Sequence, residues 1–258
     1  MNVTLSELIV ISILIVIVIL LAYKMKGYKE LPGMPAHYKD LLNDYVKFYW
    51  QLDEKGKEHF EKRVNDFLQA VQITGVNAEV EDLDRLLIAA AAIIPVFTIR
   101  DWQYINLREV LVYPGTFNRD FDQGGFERSA TGMVGSGAMQ DKMILTKWQV
   151  RQGFIKDNDT YNTAIHEFVH LVDKMDGTMD GVPEILLERK YVKEWKHLID
   201  TTIQHMKTHG SDINMYGATS PVEFFAVISE YFFEQPGLLK TNHPELYNML
   251  EKIYKTEK

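Results

Sequence analysis

The chain has 258 residues, 46% apolar and 25% charged, a balance that suits one large globular domain with a sizeable core and a short appendage. A formal net charge of −8 leaves no basic footprint, so no nucleic-acid partner is expected. The absence of cysteine excludes disulfides, thiolate catalysis and any cysteine-ligated metal.

The first element is the run Leu8–Tyr23, LIVISILIVIVILLAY, in which Ser12 is the sole polar side chain. A bilayer core takes about 20 apolar residues, and Leu5 and Met25 lengthen the run towards that. Glu7 precedes it, Lys24, Lys26 and Lys29 follow it, and no small-residue cleavage site is present, which is the reverse of a secretory signal. The run therefore predicts one N-terminal transmembrane helix, with residues 1–29 as anchor and basic flank. The lysines place the domain at 30–258 in the cytoplasm, giving a single-pass protein of the cell membrane.

Glu30–Pro35 (ELPGMP) reads as a linker. Tyr38–Ala70 follows helical periodicity, with Leu41, Leu42, Tyr45, Val46 and Phe48–Trp50 on one apolar face and Phe60, Val64, Phe67 and Leu68 on a second. Asp82–Ile94 reads as a buried helix ended by Pro95, because Leu86–Ala92 is almost wholly apolar. Val110–Tyr113 is a strand closed by Pro114-Gly115, and Met143–Thr146 is a second short strand. Between them, Phe117–Met139 is rich in glycine and aspartate and reads as a long mobile loop, able to close as a lid. Its Gly132, Gly135 and Gly137 lack the G-x-G-x-x-G order of a phosphate loop. From Thr163 onward helices are predicted at about 163–176, 184–208, 221–234 and 243–255, and no internal repeat is present. The fold class is α+β, predominantly helical, with a small sheet.

The segment Thr163–Gly177, TAIHEFVHLVDKMDG, contains His166-Glu167-x-x-His170. Residues four apart on a helix share a face one turn apart, so both imidazoles reach one metal ion. Glu167 is near enough to hydrogen-bond a water on that metal without ligating it; zinc lowers the water's pKa to about 7 and the glutamate takes its proton. Apolar flanks (Ala164, Ile165, Phe168, Val169, Leu171, Val172) bury the helix, and buried polar groups need partners. A catalytic zinc usually takes three protein ligands. The class with a third histidine six residues further on is excluded, because that position is Asp176 and its expected glycine is Asp173. Glu223 and Glu230 in SPVEFFAVISE then compete for the role, and whichever does not ligate is free to orient a histidine. Glu223 has a structural alternative, as the third helical residue of a Ser220-Pro221-x-Glu223 capping box. Asp173, three residues after His170, is an expected acceptor for an imidazole N–H. One of the two strands is expected to bind substrate backbone by strand addition.

HEFVHLVDKMDG, the GVP at 181–183, YGATSPVEFFAVISEYFF at 216–233 and REVLVYPGTF at 108–117 together resemble the Mlc titration factor A family of bacterial zinc peptidases, over roughly residues 40–255. The resemblance implies a zincin-like metallopeptidase domain, similar in its core to the anthrax lethal factor protease domain, with one zinc ion per chain. It implies Glu223 as third ligand, Glu230 as an orienting residue and the Tyr216 hydroxyl as oxyanion donor. It implies hydrolysis of peptide or protein substrates, of aminopeptidase type, and a transcriptional regulator as partner. Sequestering that regulator, with little turnover, is the rival function. The anchor at 8–23 departs from the soluble form of the family and puts the regulator in question.

Overall fold

The computed structural model describes residues 34–99, 101–115, 132–134 (backbone only), 141–155 and 160–255. The expected transmembrane segment at 8–23 lies outside the described residues. Among the described residues no helix is long and apolar enough to cross a membrane.

The helical stretch expected at 38–70 is three helices: α1 (Ala36–Tyr45), α2 (Lys47–Trp50) and α3 (Glu54–Ala70). Val46 breaks the first pair with extended backbone (φ −108°, ψ 92°). Asp53 opens α3 by accepting the Gly56 N–H at 2.8 Å, a cap that replaces one of the bonds a helix end lacks. A short strand, β1 (Gln72–Gly75), follows where none was expected. Helix α4 (Asp82–Ile93) is buried from Leu86 to Ile93 as its composition requires, and its α-helical part ends just ahead of Pro95, as expected. The helix tightens into a 3-10 turn, Ile94–Val96, that contains the proline.

Among the described residues one four-stranded sheet has the order β1-β2-β4-β3, with β2 at Glu109–Tyr113, β3 at Gly132–Val134 and β4 at Lys142–Thr146. β1, β2 and β4 are parallel, Val110 standing opposite Ile73 and Met143. β3 runs antiparallel to β4, with Met133 opposite Ile144. This corrects two expectations. Part of the 117–139 loop is a strand, and the rest of that loop lies outside the described residues. Both strands nominated for substrate addition are interior, so neither has a free edge; among the described residues the edges are β1 and β3.

β4 runs straight into α5 (Lys147–Ile155), an unexpected helix held by charge rather than by an apolar stripe. Arg151 meets the buried Asp84 at 2.6 Å and Lys147 meets it at 3.3 Å, and both also pair with Glu81. Those two acids cap the start of α4, so the ion pairs tie α5 to it. Helix α6 (Thr163–Asp173) packs against α4, α5 and the β3–β4 hairpin. Phe168 on α6 sits against Phe67 and Tyr104 in edge or tilted ring contacts. After a 3-10 turn at Lys174–Asp176, helix α7 (Arg189–His209) starts later than 184, because a turn folds Leu186 and Leu187 back onto the Pro183 carbonyl. A 3-10 turn at Met215–Ala218 leads to α8 (Pro221–Glu234), which packs against α6 and α7. The last expected helix is two, α9 (Pro236–Asn242) and α10 (Pro244–Tyr254), each opened by a proline whose missing N–H costs nothing there.

Candidate metal centre

Helix α6 begins at Asn162, which is fully buried and which the sequence reading missed. Its Oδ1 accepts the Ile165 N–H at 3.2 Å, and its Nδ2 donates to the Gly153 carbonyl at 3.1 Å and to Glu234 at 2.8 Å. The available signal was an asparagine just ahead of an apolar-periodic segment. Gly153 is required opposite it, since a Cβ there would stand 2.8 Å from the Asn162 side chain.

On α6, His166, Glu167 and His170 are each 7–8% exposed, so all three need charge or hydrogen-bond compensation. Helix α8 provides it. Glu230 takes His166 Nδ1 at 2.7 Å with one carboxylate oxygen and accepts the Asn162 N–H at 2.5 Å with the other. Glu223, two helical turns earlier on the same face, places Oε2 3.0 Å from His166 Nε2 and 3.4 Å from His170 Nε2. Ser220 caps α8 by accepting the Glu223 N–H at 3.2 Å, but the Glu223 carboxylate turns to the imidazoles instead of closing the capping box. Glu223 and Glu230, which the sequence left in competition, thus occupy different places: one where both Nε2 atoms converge, the other behind His166.

Ligand atoms of His166, His170 and Glu223 lie within 4.8 Å of one another, so these residues could hold a metal ion. A tetrahedral ion with bonds of about 2.1 Å has ligand–ligand edges of roughly 3.4 Å. The two distances to Glu223 Oε2, 3.0 and 3.4 Å, lie just below and at that value. Charge points the same way. Three carboxylates (Glu167, Glu223, Glu230) surround two imidazoles. Burial alone disfavours a charged His166, yet Glu230 and Glu223 outweigh it and raise its pKa to about 10. Burial likewise opposes ionisation of Glu223, but its hydrogen bonds to His166 and His170 hold it below the usual carboxylate range. Glu167 is pushed up by burial, with the histidines partly offsetting. The cluster demands positive charge, and a divalent cation would supply it.

Tyr216 stands on the 3-10 turn at the open side, its N–H held by Asn214 Oδ1 at 2.9 Å. Its ring centroid is 5.9 Å from that of His166, and the residue is 52% exposed. Partial burial, then the charge of Glu223 and a hydrogen bond to it, push its hydroxyl pKa up, so it stays a proton donor.

The model of the glucose-regulated metallo-peptidase M90 family matches residues 22–255. The chain belongs to this family. An uncharacterized protein of Synechocystis sp. is 32% identical over 232 residues, covering 86% of this chain and 84% of its own. Mlc titration factor A of Pectobacterium atrosepticum is 35% identical over 187 residues (68% and 69%), and that of Escherichia fergusonii 29% over 201 residues (73% and 74%).

In this M90 chain Asp173 departs from its expected place. Its Oδ2 accepts the Gly181 N–H at 2.8 Å rather than an imidazole N–H, and its Oδ1 is buried without a partner among the described residues. Burial pushes its pKa up to about 6, the Gly181 N–H opposing. His170 Nδ1 is likewise buried and has no partner among the described residues. Glu230 orients His166, whereas Asp173 holds the segment that joins α6 to α7.

Proposed function

We propose that this M90 chain is a zinc-dependent peptidase. The observation that carries the reading is the convergence of His166 Nε2 and His170 Nε2 on one Glu223 oxygen, beside the buried Glu167. His166, His170 and Glu223 hold the ion, one per chain, and Glu230 fixes the His166 ring. A zinc ion held there supplies Lewis acidity, polarising a peptide carbonyl and acidifying a water. Glu167 takes the proton of the attacking water and returns it to the leaving amine; a carboxyl whose pKa is raised by burial suits both roles. The Tyr216 hydroxyl donates to the developing oxyanion from the open side. Among the described residues strand β3 is a sheet edge packed against α6, so an extended peptide added to it would lie near the helix that bears the site. Residues 8–23 tether the enzyme to the cell membrane, with the domain cytoplasmic by the lysine rule. Aminoacyl reporters against unstructured protein substrates separate aminopeptidase from endopeptidase action.

A second reading has a specific support: relatives bear the name titration factor. On it, the domain binds a transcriptional regulator and turns over little. Glu167→Gln separates the two. It keeps the zinc ligands and the shape, so under the peptidase reading zinc content stays near one per chain while hydrolysis falls at least about a thousandfold. Zinc below about half an ion per chain, after purification without chelator, refutes the metal centre. Regulation that survives intact in the variant favours titration.

A further inference from the structure

The three ligand-bearing residues come from two helices that are far apart in sequence, and the segment between them makes an unusual junction. Gly181 has φ +80°, a backbone region that side chains rarely enter. A Cβ on it would stand 2.3 Å from the Pro221 carbonyl oxygen and 3.1 Å from the Val222 nitrogen. Pro221 is the first residue of α8, and Glu223 lies two residues further on. The same glycine is gripped from two other helices. Its N–H donates to Asp173 Oδ2, at the end of the helix that carries His166 and His170, at 2.8 Å. Its carbonyl accepts from Trp195 Nε1, on α7, at 2.8 Å. Asp173 and Trp195 are both fully buried, so these bonds are shielded from water.

We infer that Gly181 is the positioning residue for the third ligand: it sets the distance between the start of α8 and the end of α6, and so places the Glu223 carboxylate against the two imidazoles. Asp173 and Trp195 hold the glycine in that place. Any side chain at 181 forces the 181 segment and the start of α8 apart, because the obstacle is backbone and cannot swing aside. Glu223 moves with α8, whereas His166 and His170 stay on α6. The inference rests on the metal-centre reading proposed above and adds the device that assembles it.

The test uses the full chain with zinc and with cobalt as a spectroscopic stand-in. Gly181→Ala is compared with wild type and with Glu223→Ala for zinc affinity by chelator competition, cobalt absorption and cooperative unfolding. Displaced outer supports of a metal site typically cost 10–100-fold in affinity. The expected result is a folded Gly181→Ala chain with zinc binding at least about tenfold weaker and a cobalt spectrum shifted towards that of Glu223→Ala. A folded variant with wild-type affinity and spectrum overturns the inference. If Gly181→Ala does not fold, Asp173→Asn and Asp173→Ala carry the test. Asparagine keeps an acceptor for the Gly181 N–H and should retain affinity within about threefold, whereas alanine should lose about tenfold. Equal affinities for the two overturn the inference. Wild type that binds no zinc refutes the metal centre itself, a separate outcome.

Discussion

Glu230→Gln tests the support behind the site most sharply, because the change keeps volume and alters only donors and acceptors. Glu230 accepts two buried hydrogen bonds, from Asn162 N–H at 2.5 Å and from the Nδ1 of His166 at 2.7 Å. With Nε2 on a metal, or with the ring charged in the metal-free chain, Nδ1 carries the proton, so both neighbours are donors. A glutamine offers one oxygen and one NH2 group. Whichever way the amide is turned, one buried donor faces another donor. An unsatisfied buried donor costs about 1–3 kcal/mol, and the loss of a charge-assisted bond places this case in the upper half of that range. A domain of this size loses roughly 2–4 °C of Tm per kcal/mol, so Tm should fall by about 4–12 °C. Zinc affinity should fall about 10–100-fold, because the His166 ring loses its anchor. Thermal unfolding of the metal-free chain gives the first number, and competition with a chromophoric chelator the second. A variant that melts within about 1 °C of wild type and binds zinc within about threefold refutes the reasoning, since one amide cannot satisfy two donors.

Tyr216→Phe removes one oxyanion donor and should lower kcat about 100- to 1000-fold with little change in KM or zinc content; steady-state kinetics on a peptide substrate decide, and an unchanged kcat removes the tyrosine from the mechanism. The pKa of His166 is raised to about 10 in the folded, metal-free chain, against about 6.5 unfolded. Its stabilising contribution is therefore complete below about pH 6.5 and lost as pH rises through about 10. Zinc has to displace that proton, so log affinity should climb by about one per pH unit between pH 7 and 9; a flat profile from isothermal titration contradicts the charge balance described for the site. Asp84→Ala leaves Arg151 and Lys147 with the exposed Glu81 in place of the buried Asp84 and uncaps α4, and it should cost about 2–4 kcal/mol in chemical unfolding; a loss below about 1 kcal/mol shows that solvent already screens the pairs.

The sequence alone determined the features that depend on local repetition. Four-residue spacing put His166 and His170 on one side of α6, since a helix turns by a fixed angle per residue. Seven-residue spacing did the same for Glu223 and Glu230 on α8. Runs such as Leu86–Ala92 declared their burial by composition. Helix α5 and strand β1 were not legible, because ion pairs to residues more than 60 positions away hold the one, and pairing with β2 holds the other. The same reason separates the two glutamates. Both lie on one face of one helix, and only the approach of α8 to α6, through Gly181 and Pro221, decides which faces the imidazole Nε2 atoms and which supports His166 from behind. Helical periodicity fixes what a residue shares with its own turn. Which chemistry it joins depends on contacts between segments far apart in the chain, and those exist only once the helices have packed.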